Sequence, residues 1–243
     1  MQDILIGSVG HNFIGFMNKL PEVTKNLLAI NILMFLATIV LERQGTDLTS
    51  LFGLHFFKAS DFAPYQLVTY MFMHSGFPHL FFNMFALYMF GGVLERVWGS
   101  KRFLIYYLVA GVGAGLLQEV TQYIHYVGSG MDNYSLVLVH SLGTIPMADA
   151  LNMWTTVGAS GAVYAILLGF GMSFPNEKMF IFPLPFPIKA KFFVIGYAAI
   201  EFLLGISNSG DGIAHYAHLG GMLFGLVMIL YWRKKRKIGG PYV

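Results

Sequence analysis

Six apolar stretches, each close to the roughly 20 residues that a helix needs to cross the hydrocarbon core of a bilayer, decide the solvent in which this chain folds. They run from Asn26 to Leu41, Phe77 to Leu94, Phe103 to Val120, Gly158 to Phe174, Phe192 to Ile206 and Ile213 to Trp232. Lipid offers a backbone no hydrogen-bond partners, so stretches of this length and spacing read as helices that satisfy their own N–H and C=O groups. Composition agrees, with 56% hydrophobic and 11% charged residues, where an ordinary soluble domain carries about a quarter charged. The expected fold class is all-α, a polytopic membrane bundle of six transmembrane helices. No internal repeat or low-complexity linker divides it, so residues 1–243 read as one domain.

Lys and Arg collect in cytoplasmic loops. With the N-terminus in the cytoplasm, that side receives Lys19, Lys25, Arg96, Lys101, Arg102, Lys178, Lys189, Lys191 and the run from Arg233 to Lys237, which is 13 of the 15 basic side chains. Only Arg43 and Lys58 remain outside. Both termini are therefore expected in the cytoplasm, as a short segment over 1–25 and a basic tail over 233–243. The tail reads as this same orientation signal, ahead of any specific lipid or nucleic-acid contact; the lipid bilayer is the expected surrounding of the chain, and no nucleic-acid partner is expected. Asp3, His11, Lys19 and Glu22 interrupt the first 25 residues, so a cleaved signal is not expected there. The absence of cysteine excludes disulfides, thiol nucleophiles and cysteine metal sites.

With the inner surface fixed, depth follows from counting. Ser160 lies 15 residues from Pro175, His218 lies 15 from Arg233, and Asn83 lies 13 from Arg96. At ~1.5 Å per residue, all three sit roughly 20 Å above the inner surface. His79 lies one turn above Asn83 on its face, and Tyr164 one turn below Ser160 on its own. Polar side chains at this depth are expensive unless they face a bundle interior or a water-filled cavity. Together they suit acyl transfer. A serine hydroxyl needs a base within hydrogen-bond reach, usually a histidine. The developing oxyanion then needs donors such as an Asn amide, a His N–H and a backbone N–H at a helix start. Ser160 in Gly158-Ala159-Ser160-Gly161 opens a helix, where unsatisfied N–H groups point outward.

Each piece has an ordinary reading as well. Gly-x-Ser-Gly at a helix start is a small-residue packing surface, and Gly221 with Gly225 forms a Gly-xxx-Gly step for close helix contact. The two readings are compatible. A sixth helix pressed on the fourth through these glycines carries His218 one turn above the contact, within reach of Ser160.

The ordered set resembles the rhomboid family of intramembrane serine proteases over most of the chain. His74-Ser-Gly-Phe-Pro-His79-Leu-Phe-Phe-Asn83 resembles its second-helix motif, Gly158-Ala-Ser160-Gly161 its nucleophile motif and Ala217-His218-Leu-Gly-Gly221 its histidine motif. Glu95-Arg96 resembles the pair after its second helix. The resemblance implies a Ser160–His218 dyad without a carboxylate, with no cofactor and no metal. It implies that Asn83, His79 and the Ser160 N–H bind the oxyanion, that Tyr164 supports the His218 ring, and that Gly158, Gly161, Gly221 and Gly225 shape the site. It also implies a partly embedded lateral loop from Arg43 to Gly76, a cap over Ser207 to Gly212, and transmembrane proteins as substrates. The expected location is a prokaryotic plasma membrane, with the site opening to the outer face.

Other residues stay open at this stage. The loop from Thr121 to Thr156 has no assigned role beyond lying on the membrane surface. Glu201, about 15 Å from Lys191 by helical rise, reads either as a protonated or paired structural group or as part of a substrate gate. His215 reads as a rim residue, and His74 as shaping the oxyanion region or holding the loop. A metal enzyme or transporter would use His74, His79, His215 and His218, but it lacks a His-Glu-x-x-His motif and no carboxylate is expected beside them. An aspartyl protease needs two intramembrane aspartates, and none of the spans contains one. A catalytically inactive rhomboid-like binder of transmembrane segments has no need to keep both Ser160 and His218. Substrate identity and oligomeric state leave no signal in the sequence.

Overall fold

The computed structural model describes residues 20–180, 186–207 and 214–235. The N-terminal segment up to residue 19, the expected cap beyond Ser207 and the tail beyond residue 235 lie outside the described residues. Six principal helices carry the fold: α1 (Glu22–Glu42), α2 (Phe77–Trp98), α3 (Ser100–Gly128), α4 (Ser160–Ser173), α5 (Ala190–Ser207) and α6 (His215–Lys234). Among the described residues α1, α2, α3 and α5 are long and apolar enough to cross a membrane. α4 spans 14 residues, or roughly 21 Å. α6 has the length, but His215, His218, its glycines and the terminal Arg233 and Lys234 dilute its apolar character. These two helices form the centre, where protein replaces lipid as their surroundings. α3, α4 and α6 pack directly on one another, and most residues of α4 are buried.

The expected boundaries shift for physical reasons. α1 begins at Glu22, four residues ahead of Asn26, because a side chain from elsewhere completes its first turn. The buried Glu95 carboxylate accepts the backbone N–H groups of Val23 and Thr24 at 2.9 and 2.7 Å, the Thr24 hydroxyl at 2.7 Å and the Ser100 hydroxyl at 2.7 Å. One acid thereby satisfies orphan donors at the start of α1 and clamps the turn between α2 and α3. Glu95→Ala strands these donors in a buried position and is expected to cost about 2–4 kcal/mol. The thermal midpoint in detergent should fall by roughly 5–15 °C, and an unchanged midpoint would remove the clamp.

α3 runs to Gly128, eight residues beyond the expected end at Val120. Its extension is held by a second apolar cluster of Phe56, Ala59, Tyr126, Met147 and Leu151. The remainder of the long loop forms an antiparallel hairpin, Leu136–Val139 with Gly143–Pro146. Two further strands join the loop to the Arg43–Gly76 segment, with Leu54 opposite Thr156 and His55 opposite Thr155. That segment is ordered in its own right. Asp47 caps the short helix Leu48–Phe52 through the N–H groups of Thr49 and Ser50, and Glu119 of α3 accepts the Phe57 N–H at 2.8 Å. The loop without an assigned role is thus a brace that ties the lateral segment to the approach to α4.

At the other end, Arg233 of α6 donates to the Met172 carbonyl of α4 at 2.7 Å, satisfying a C-terminal acceptor of the shorter helix. α4 and α6 therefore end level with each other. Their polar residues are counted from a common floor.

Candidate active site

Ser160 is the first residue of α4, and three contacts fix the approach to it. Thr156 is held in the strand pair, the Gly158 N–H donates to the Tyr70 carbonyl at 2.9 Å, and the Tyr70 hydroxyl donates to the Gly111 carbonyl at 2.7 Å. Gly158 takes φ +129°, a region that disfavours any Cβ. A Cβ there would also stand 2.7 Å from Cε1 and 2.8 Å from Nε2 of His79. Gly158 is required twice over, by its own backbone and by the imidazole beside it.

α6 comes equally close. A Cβ on Gly221 would collide with the carbonyl oxygen of Gly161, and one on Gly225 would stand 3.0 Å from the Ala165 Cβ. Bare backbone on both helices brings His218 over the start of α4. Its Nε2 lies 2.8 Å from the Ser160 Oγ. The Tyr164 ring stacks on the imidazole, with centroids 4.2 Å apart and planes 8° from parallel. His218 is buried, so the hydroxyl and the ring meet away from bulk solvent.

Of the second-helix residues, His79 lies against Gly158, two residues ahead of Ser160. Nδ1 of His79 accepts from Ser75, whose hydroxyl lies at 3.0 Å and whose N–H lies at 3.4 Å. A ring nitrogen that accepts a backbone N–H carries no proton, so in the neutral ring the proton is on Nε2, the atom facing Gly158. The Asn83 amide donates to the His79 carbonyl at 2.8 Å, using one of its two N–H groups. His74 is buried with its ring edge-on to His79, centroids 5.1 Å apart. Burial, with the neighbouring His79 adding to it, holds the His74 pKa down to about 4, so the ring is neutral near pH 7.

Two sequence expectations need correction. Glu201 is a carboxylate beside the histidines, contrary to the expectation that none lies there. Its Oε2 is 2.6 Å from His215 Nδ1 and 3.0 Å from His218 Nδ1, while Oε1 accepts from the Tyr164 hydroxyl. His215 is not a rim residue: it is 5% exposed and turned inward onto the acid. The signal for both was the charge itself, since an ionisable residue in the middle of an apolar span needs a partner. Glu201, His215 and His218 also offer three potential ligand atoms within 4.8 Å of one another.

Ser160 and His218 are thus in hydrogen-bond contact at the head of a buried helix, and comparison with known proteins gives the family of the chain that carries them. The family model described as the rhomboid domain matches residues 61–235. The chain belongs to the rhomboid family. Rhomboids are intramembrane serine proteases, and the apolar helices agree that this member is an integral membrane protein. The chain is 28% identical to the rhomboid protease AarA of Providencia stuartii over 219 residues, covering 86% of this chain and 72% of that protein. It is 30% identical to the rhomboid protease GluP of Bacillus subtilis over 167 residues, 66% of this chain and 32% of that protein. With the rhomboid protease GlpG of Haemophilus influenzae the identity is 24% over 161 residues, 65% of this chain and 79% of that protein.

Proposed function

We propose that this rhomboid is an active intramembrane serine endopeptidase that cuts transmembrane proteins through an acyl-enzyme formed on Ser160. The observation that carries the reading is the 2.8 Å contact between Ser160 Oγ and His218 Nε2 at the N-terminus of α4. His218 takes the hydroxyl proton as Oγ attacks the scissile carbonyl, and then gives it to the leaving amine as the C–N bond breaks. The Ser160 backbone N–H, the His79 Nε2–H and the second N–H of Asn83 are the donors for the oxyanion. A water activated by the same ring releases the acyl group. Tyr164 holds the imidazole from its stacked face, and Gly158, Gly161, Gly221 and Gly225 keep bulk out of the reacting space. No cofactor takes part.

The chain crosses the bilayer six times, α4 and α6 included, with both termini in the cytoplasm and the site opening to the outer face of a prokaryotic plasma membrane. The charge distribution supports this placement. Substrate carbonyls are tied up in intrahelical hydrogen bonds, so a transmembrane segment must unwind before it can be attacked, and helix-breaking residues near the cut favour it.

The test is incubation of the detergent-solubilised protein with a fluorophosphonate, followed by intact mass. One adduct is expected on the wild type, with none on Ser160→Ala. A folded wild type that forms no adduct and cuts no transmembrane test substrate would instead mark a catalytically inactive binder of transmembrane segments.

A further inference from the structure

α5 is an apolar helix with a carboxylate turned the wrong way for lipid. Of its described residues only Ala190, Val194 and Glu201 are buried. Around Glu201, which is 6% exposed, Phe202 and Leu203 are 54% and 59% exposed. In the half of α5 beyond Val194, the acid is the one side chain buried in the bundle. A carboxylate inside a membrane protein is costly unless it is paired, so its partners show what holds it there.

Three side chains from two other helices converge on it. Tyr164 of α4 donates to Oε1, and His215 and His218 of α6 both bring Nδ1 to Oε2, at 2.6 and 3.0 Å. His218 is the partner with consequences. Its Nε2 can accept the Ser160 proton only if the ring's own proton resides on Nδ1. That nitrogen is buried and makes no hydrogen bond within ordinary geometry, and Glu201 Oε2 stands 3.0 Å from it. Without the acid, the proton-bearing nitrogen would face no acceptor. The tautomer with the proton on Nε2, useless as a base, would then be favoured.

We propose that Glu201 is a positioning residue for His218, making the site a Ser160–His218–Glu201 triad in place of the dyad that the family resemblance implies. This rests on the protease reading above. When His218 takes the proton from Ser160, the ring becomes a cation beside a fixed anion. Glu201 stays ionised and the Nδ1 proton stays on the ring, so the acid orients and stabilises without itself accepting a proton. Tyr164 and His215 fix the carboxylate, which spares it reorganisation when the charge appears.

A divalent cation held by Glu201, His215 and His218 is the competing use of the same atoms. It would occupy His218 Nδ1 in place of the proton, and activity would then follow the metal.

The experiment has two arms on the full chain in detergent micelles. In the first, Glu201→Gln keeps the size of the side chain and loses its charge. The expected result is a fall in kcat of about 10–100-fold with KM within about twofold and the thermal midpoint nearly unchanged, and a matching fall in the rate of fluorophosphonate labelling. A purely structural acid would lower the midpoint and leave the kcat of the folded fraction intact. In the second arm, 15N-histidine NMR of the wild type reads the tautomer of His218 directly, whatever becomes of the variant. Nδ1–H is expected. An Nε2–H tautomer, a wild-type kcat in folded Glu201→Gln, or activity lost with a chelator and restored by zinc would each overturn the proposal. A wild type that cuts nothing yet shows Nδ1–H for His218 would sink the protease reading and leave the Glu201 contact standing.

Discussion

Ser160→Ala and His218→Ala are each expected to reduce cleavage of a transmembrane test substrate by roughly 10⁵–10⁶-fold, and the double variant is expected to be no slower than either single one. The two groups perform one act, transfer of the hydroxyl proton as the Oγ–C bond forms, so removing either removes it entirely. Their effects should therefore fail to add. The structure makes the comparison clean at Ser160, where the hydroxyl is the only atom lost and the helix start is held by Thr156, Gly158 and Tyr70. Its thermal midpoint should stay within a few degrees of wild type. His218→Ala also deletes a ring stacked on Tyr164, so its midpoint falls further, and only the activity of the folded fraction counts. Additive losses would mean that a second base or nucleophile operates, and the 2.8 Å contact would no longer account for the activity.

The apolar stretches made the helical membrane class legible, because their length answers a fixed physical requirement of the bilayer. Their ends were less legible. The start of α1 depends on Glu95, more than 70 residues away in sequence, and the end of α3 depends on Phe56 and Met147 across the connecting segments. No local pattern around Asn26 or Val120 carries that information. The hairpin and the short strands around Thr155 were hidden for the same reason: they are set by pairing between distant segments in a region whose composition resembles its surroundings.

Ser160, His218, His79 and Asn83 could be singled out because spacing along helices translates directly into depth, and three polar residues at one level in lipid, with a fourth a turn above, are a rare coincidence. Their distances could not be read. Those depend on Gly221 meeting the Gly161 carbonyl, a contact that a Gly-xxx-Gly step suggests without naming its partner. Glu201 shows the opposite failure. Its position in a span was plain, but its direction was not, because α5 is apolar on nearly every face and one charge does not define a stripe. Only the packed structure shows that it faces His215 and His218.

Asn83→Ala is expected to slow turnover by roughly 10²–10³-fold, falling on kcat with KM little changed, because an oxyanion donor acts only once charge has moved onto the carbonyl oxygen. Asn83 is the sharper probe than His79. Loss of the His79 ring would open a void against His74 and Gly158, mixing a packing defect with the lost donor. The Asn83 amide spends one N–H on its own helix, at the His79 carbonyl. The other N–H is the one at stake. Asn83→Asp separates the two uses, since the acid matches the size of the amide, offers no donor when ionised and sets a negative charge against the developing oxyanion. It should be slower than Asn83→Ala. If both variants cut at the wild-type rate, the hole consists of the His79 Nε2–H and the Ser160 N–H alone, and Asn83 belongs to the helix; if both raise KM and leave kcat intact, Asn83 binds the substrate before any charge develops.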